Sequence, residues 1–166
     1  MKKRYLVVFS LAMLAFNRLS SQSEIWGMTS AGGEGYGTLF GMPTGSNNPS
    51  TQYNFTGFPG SSPQYVKLLQ ATNNKLYGVT LSGGINNLGV LFEYDVSNNT
   101  YVKKVDFSVA NGSSPRGSLM QASNGKIYGM TSAGGTNGVG VIFEYDPTTG
   151  NYVKKIDLVA ANGSAP

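Results

Sequence analysis

The chain has 166 residues, 23 of them glycine, with 12% charged and 11% aromatic residues. That length suffices for one domain with a core, and the Gly-rich, Tyr- and Phe-bearing composition favours β structure and excludes a disordered, charge-dominated chain. With a formal charge of +4 and neither histidine nor cysteine, the sequence excludes triads built on those residues, the usual zinc sites and any disulfide.

The N-terminus, 1–22, has the pattern of a signal peptide. Lys2, Lys3 and Arg4 form a basic start, 5–16 is an apolar run of 12 residues, and Ser20, Ser21 and Ser23 are small residues suited to cleavage. A run of 12 falls short of the about 20 residues a spanning helix needs, which favours a cleaved signal over an uncleaved anchor. Without Lys2, Lys3, Arg4 and Arg18 the balance is 8 basic against 8 acidic residues. The positive charge therefore belongs to the leader. A nucleic-acid partner is not expected, because phosphate binding needs a basic surface. No membrane span is expected after signal removal.

From 23 to 166 the chain is repetitive, in copies at approximately 25–74, 75–125 and 126–166. Copy one is degenerate: Trp26-Gly27 and Gly32-Gly33 stand 51 residues before Tyr77-Gly78 and Gly83-Gly84, while Phe40 and Phe55 stand 52 before Phe92 and Phe107. The residue lost after the Gly pair is regained between Pro63 and Gln70. Copies two and three align without a gap, with 23 identities among the 41 pairs of 75–115 and 126–166. Four short strands are expected per unit, at 118–122, 126–132, 140–146 and 152–158 in the last. Asn124-Gly125 and the run Asp146-Pro147-Thr148-Thr149-Gly150 supply turns, with Asp146 initiating the second. A period near 50 with four strands per unit points to an all-β, propeller-like architecture, blades of four antiparallel strands in about three repeats of 51 residues. One small sheet cannot bury two apolar faces alone, so neighbouring units are expected to stack. Lys103, Lys104, Lys154 and Lys155 on the fourth strand are expected to protect an outer edge. The first unit enters at its second strand and the last ends before the next first strand, so a truncated propeller with further blades or a sorting segment is expected, an open array being the alternative.

The stretch Ile127-Tyr128-Gly129-Met130-Thr131-Ser132, then Gly134-Gly135, Asn137 and Gly140-Val141-Ile142-Phe143-Glu144-Tyr145-Asp146, resembles the bacterial GloVer (Gloeo/Verruco) tandem repeat over roughly 25–166. More distantly, Gly134-Gly135, Tyr145-Asp146 and Tyr152 are similar to a kelch blade, where the pattern has Trp in place of Tyr152. The first resemblance implies an exported bacterial protein, often with a C-terminal sorting segment, and no particular activity. Copy one departs from it, with Gly41-Met42-Pro43 in place of Glu-Tyr-Asp.

Residues two apart on a strand share a face, so Glu93 with Asp95 and Glu144 with Asp146 are the nearest thing to an acid–base or cation site. Their recurrence in two units argues for turn and ion-pair roles, because a catalytic pair needs unlike environments. No catalytic residue, metal ligand or cofactor is expected. Six recurring tyrosines, Tyr77, Tyr94, Tyr101, Tyr128, Tyr145 and Tyr152, are expected in the core between units, with sugar stacking as the alternative. Glycosylation patterns at Asn54, Asn98, Asn111 and Asn162 are accounted for mostly by turn chemistry. The Gly/Asn loops lack a following helix and the P-loop lysine, and the ligand rim expected there comprises Gly83, Gly84, Asn86, Gly134, Gly135 and Asn137. These features together suggest a secreted or cell-surface repeat module presenting loops to an extracellular glycan or protein. The alternatives are the non-catalytic portion of a larger secreted polysaccharide-active enzyme, and a passive surface spacer.

Overall fold

The computed structural model describes residues 24–64, 66–163 and 166. The expected signal at 1–22 lies outside them. Among the described residues the fold is all-β, with no α-helix and one 3-10 turn at Ala160–Asn162. It consists of three antiparallel sheets, none closed into a barrel. The first sheet contains β1 (Glu24–Thr29), β2 (Thr38–Pro43) and β3 (Ser50–Asn54). The second contains β4 (Leu69–Gln70), β5 (Leu76–Thr80), β6 (Val90–Asp95) and β7 (Thr100–Asp106). The third contains β8 (Ser113–Pro115), β9 (Met120–Gln121), β10 (Ile127–Ala133), β11 (Val141–Tyr145) and β12 (Tyr152–Asp157).

The repeat extends to register. Tyr77 faces Glu93 across β5 and β6, and Tyr128 faces Glu144 across β10 and β11. Each sheet also has a bulge at one equivalent point, after Leu39, Leu91 or Ile142. The turns follow their side chains. Asp146 Oδ1 accepts from Thr148 N at 2.9 Å, and Gly150 takes φ 75° to let the chain reverse into β12. The strand that the sequence did not suggest is β8. It pairs Pro115 with Thr131 and Ser113 with Ala133, extending the third sheet beyond the end of β9.

Sheets stack because inner strands such as β5 and β6 are buried on both faces. Trp26 and Tyr53 of the first sheet lie against Tyr94 and Tyr101 of the second, with ring centroids 5.6 and 4.0 Å apart. On its other face the second sheet buries Tyr77, Val79 and Leu91 in one cluster with Ile127, Phe143 and Tyr145 of the third. We call the face each sheet turns toward the preceding sheet its front, and the opposite face its back. Every residue of β5 is buried, since both faces of the middle sheet are covered. Each fully buried Phe or Leu there contributes roughly 1.5–3 kcal/mol.

Within each sheet a glycine lies beneath a phenylalanine. A Cβ on Gly27, Gly78 or Gly129 would lie 2.4–2.5 Å from the ring tip of Phe40, Phe92 or Phe143. The ring lies flat on the neighbouring strand, which accounts for the recurring Trp-Gly and Tyr-Gly pairs. Between sheets, tyrosine hydroxyls tie each fourth strand to the previous unit. Tyr101 donates to Pro59 O and Tyr152 to Asn111 O, each at 2.6 Å.

Candidate functional site

The expected carboxylates lie on the sheet backs, as the two-residue spacing requires. Glu93 accepts from Tyr77 Oη at 2.6 Å and from Lys75 Nζ at 2.8 Å, with Lys104 Nζ at 3.6 Å. Lys75 also reaches Asp95 at 3.6 Å, so both carboxylates of the pair share one ammonium. The third sheet repeats the arrangement: Glu144 accepts from Tyr128 at 2.7 Å and Lys126 at 2.9 Å, with Lys155 at 3.6 Å. The lysine just before the second strand, rather than the one on the fourth, is the nearer partner in both copies. The bulge helps: Lys104 and Lys155 are the extra residues opposite it, which brings them onto the carboxylate face.

Electrostatics follow from these contacts. Burial alone would raise Glu93, but the hydrogen bonds from Lys75 and Tyr77 and the charges of Lys104 and Lys75 outweigh it and hold the group below its ordinary value. Glu144 is brought down to about 2, first by Tyr128 and then by Lys126. Burial, and then the bond to Glu93, pushes the Tyr77 phenol well above its ordinary range. A carboxylate so well held as an anion carries no proton to donate near neutrality and is a weak base. The two copies are alike, so no division into acid and base arises. The chemistry available is that of an ion-pair anchor, and Asp146 and Asp95 serve as turn caps beside it.

The expected ligand rim is placed at the joints between units. Gly83 and Gly134 are buried, and a Cβ on either would meet backbone of the preceding unit at 2.3 Å (Gly57 O) or 2.9 Å (Gly112 Cα). Gly84 N donates to Phe58 O, and Gly135 N to Val109 O. Asn86 and Asn137 are exposed, yet each donates its Nδ2 at 2.9 Å to a carbonyl, Phe107 O or Leu158 O. Two aspartates that sequence reasoning passed over fix these loops. Asp106 Oδ1 accepts from Ile85 N, and Asp157 Oδ1 from Thr136 N, each at 2.8 Å and each paired with the lysine three residues earlier. Lys154 first, and then Thr136, lower Asp157 to about 2. The signal was present in the sequence as Lys103-Lys104-Val105-Asp106 recurring at Lys154-Lys155-Ile156-Asp157.

The structure adds an open cleft of about 740 Å³, lined by Met28, Ser30, Gln64, Val66, Lys67 and Ser118 together with Pro63. The first two repeats contribute to it, through the end of β1 and the segments leading into β4 and β9. It gathers hydroxyls, an amide and one ammonium beside Met28, Pro63 and Val66, which suits a polar ligand with many oxygens. Its walls include the stretch between Pro63 and Gln70 where the period breaks, which is why reasoning from identical positions did not find it. Among the described residues, no three acidic side chains gather at a point where they could hold a metal.

A family model, the Gloeobacter/Verrucomicrobia repeat, matches residues 14–166. No curated protein matches the sequence. Among solved structures, the extracellular domain of a protein from B. thetaiotaomicron described as a one component system is similar over 80% of this chain and 16% of its own, with 17% identity and a TM-score of 0.55. A puromycin-hydrolyzing peptidase of Mycobacterium tuberculosis is similar over 85% of this chain and 21% of its own, with 13% identity and a TM-score of 0.52. The chain thus spans about a fifth or less of those structures' length. At such identities the likeness concerns the fold.

Proposed function

This chain belongs to the Gloeobacter/Verrucomicrobia repeat family, and on that footing we propose that it is an exported, non-catalytic β-repeat module that binds an extracellular glycan or peptide. Its sheets serve as propeller-type blades in this reading. The observation that carries it is the cleft between the end of β1 and the segments leading into the second and third sheets, with Ser30, Gln64, Lys67 and Ser118 as its polar groups and no carboxylate among its lining residues. Such a surface holds hydroxyl-rich or carbonyl-rich ligands by hydrogen bonds and leaves their bonds intact. Export is supported by the leader pattern at 1–22 and by the extracellular setting of the B. thetaiotaomicron neighbour. The loops at Gly83, Gly84 and Asn86 and at Gly134, Gly135 and Asn137 form a second candidate surface.

The test is a glycan and peptide array probed with the full chain, followed by titration of any retained ligand. Gln64→Ala with Lys67→Ala is expected to weaken binding about tenfold or more, the cost of one or two lost polar contacts. The pair Asn86→Ala and Asn137→Ala is expected to leave binding unchanged. The reverse result moves the ligand to the loops, and no retained ligand at all leaves a spacer. A second reading, the non-catalytic part of a larger secreted enzyme, is favoured by the likeness to a peptidase of which this chain spans 21%.

A further inference from the structure

The molecule builds one interface twice. The front of the second sheet covers the back of the first, and the front of the third covers the back of the second. Among the described residues, nothing covers two halves of that same interface. The back of the third sheet carries Tyr128, Met130, Ile142 and Ile156 at the positions of Tyr77, Val79, Leu91 and Val105. Val79 is 2% exposed and Leu91 0%, whereas Met130 is 41% and Ile156 48% exposed. The front of the first sheet carries Ile25 and Phe40 where its successors carry Leu76 and Phe92 or Ile127 and Phe143. Ile25 is 50% exposed, and Leu76 and Ile127 are 2% and 0% exposed.

We propose that these two faces mate between molecules: the back of the third sheet receives the front of the first sheet of a second copy of this chain. The contact is heterologous, joining unlike faces, so two copies either close on each other or continue as a stack. This goes beyond the ligand reading, which concerns the cleft and the loops. Continuity with the two internal interfaces argues for this occupant. Each offers a glycine beneath a flat phenylalanine to the back face before it, and Gly27 with Phe40 presents the same feature outward.

The experiment is light scattering of the full chain across a concentration series, with two single variants. Wild type is expected to associate. Met130→Lys and Ile25→Lys, each at an exposed site and each checked for an unchanged β-sheet circular dichroism spectrum, are expected to weaken association about tenfold or more, because each buries an unpaired charge. Mixing the two variants is expected to restore association through the one intact pair of faces. A monomer at all concentrations overturns the proposal. So does association that survives Ile25→Lys, which would indicate a back-to-back contact or one made through the apolar run at 5–16, present in every variant. A failure here leaves the cleft reading standing, since array binding does not require a second copy.

Discussion

The middle and third sheets are nearly the same sequence in two settings. Strand β5, Leu76–Thr80, is buried at every residue, while the equivalent first five residues of β10 alternate, with Tyr128 half-buried and Met130 exposed. Nothing intrinsic to the strands produces this difference. The second sheet has a neighbour on each face and the third has a described neighbour on one. Burial in a repeat array is thus a property of position in the stack, and stability is nearest-neighbour in kind. The carboxylate clusters show the same thing electrostatically: the bonds of Glu93 and Glu144 match within 0.1 Å at each partner, but Glu93 must also overcome burial as the largest opposing influence.

The largest expected difference between sheets comes from the phenylalanines. Phe92, 0% exposed between two sheets, is expected to cost about 3–5 kcal/mol on change to Ala. Phe40, partly exposed on the open front of the first sheet, is expected to cost less than about 2 kcal/mol. Urea unfolding of both variants measures the gap, and equal losses would mean that the first sheet's front is covered. Next come the glycines. Gly78→Ala and Gly129→Ala place a methyl 2.5 and 2.4 Å from their rings and are each expected to cost about 1–3 kcal/mol. Here the two sheets should agree, because ring and glycine belong to the same sheet. A much smaller loss in the third sheet would show that its ring moves freely.

Smaller still is the hydroxyl pair. Tyr77→Phe removes a bond from a buried carboxylate, at about 1–3 kcal/mol, and Tyr128→Phe removes its more exposed counterpart, at about 0.5–1.5 kcal/mol. The same unfolding series orders them. The weakest discriminator is pH, since both sheets share its direction. Carboxylates held low in the fold stabilise it fully above their unfolded values and lose that contribution as pH falls through the folded ones. Stability should therefore decline as pH falls from the ordinary carboxyl value of 4.5 toward about 2 for Glu144. Tyrosines held high stabilise below their unfolded value, and this is lost as pH rises from 10.0 toward about 12 for Tyr145, where burial is the chief cause. Thermal melts from acid to alkaline pH should give a plateau between those limbs. A Glu144→Gln variant with an unchanged acid limb would remove Glu144 from the account.

Much of this was legible before any coordinates. The strands of copies two and three fall within a residue or two of the expected spans, because alternation and Asx and Gly turns are local signals. Tyr77, Tyr94 and Tyr145 are in the core as expected, at 0% exposure, since aromatic residues recurring at one period must recur in one environment. The ion-pair role of Glu93 and Glu144 was also legible, but not that the nearest partners would be Lys75 and Lys126. The bridging strand Ser113–Pro115 was not legible, because three residues give no periodicity. The cleft was not legible either, because nothing in the repeat pattern shows that the end of β1, the stretch 63–67 and Ser118 meet.

The sequence alone determined that this chain is all-β, how many units it repeats and where each turn lies. These are consequences of neighbours along the chain, and the period of 51 residues displays them openly. Tertiary structure alone decided which copy of a shared face is covered, which lysine reaches each carboxylate, and where the end of β1 meets the linkers before β4 and β9 to make a cleft. Those outcomes depend on what stands opposite a residue in space, and identical residues at equivalent positions cannot encode different neighbours.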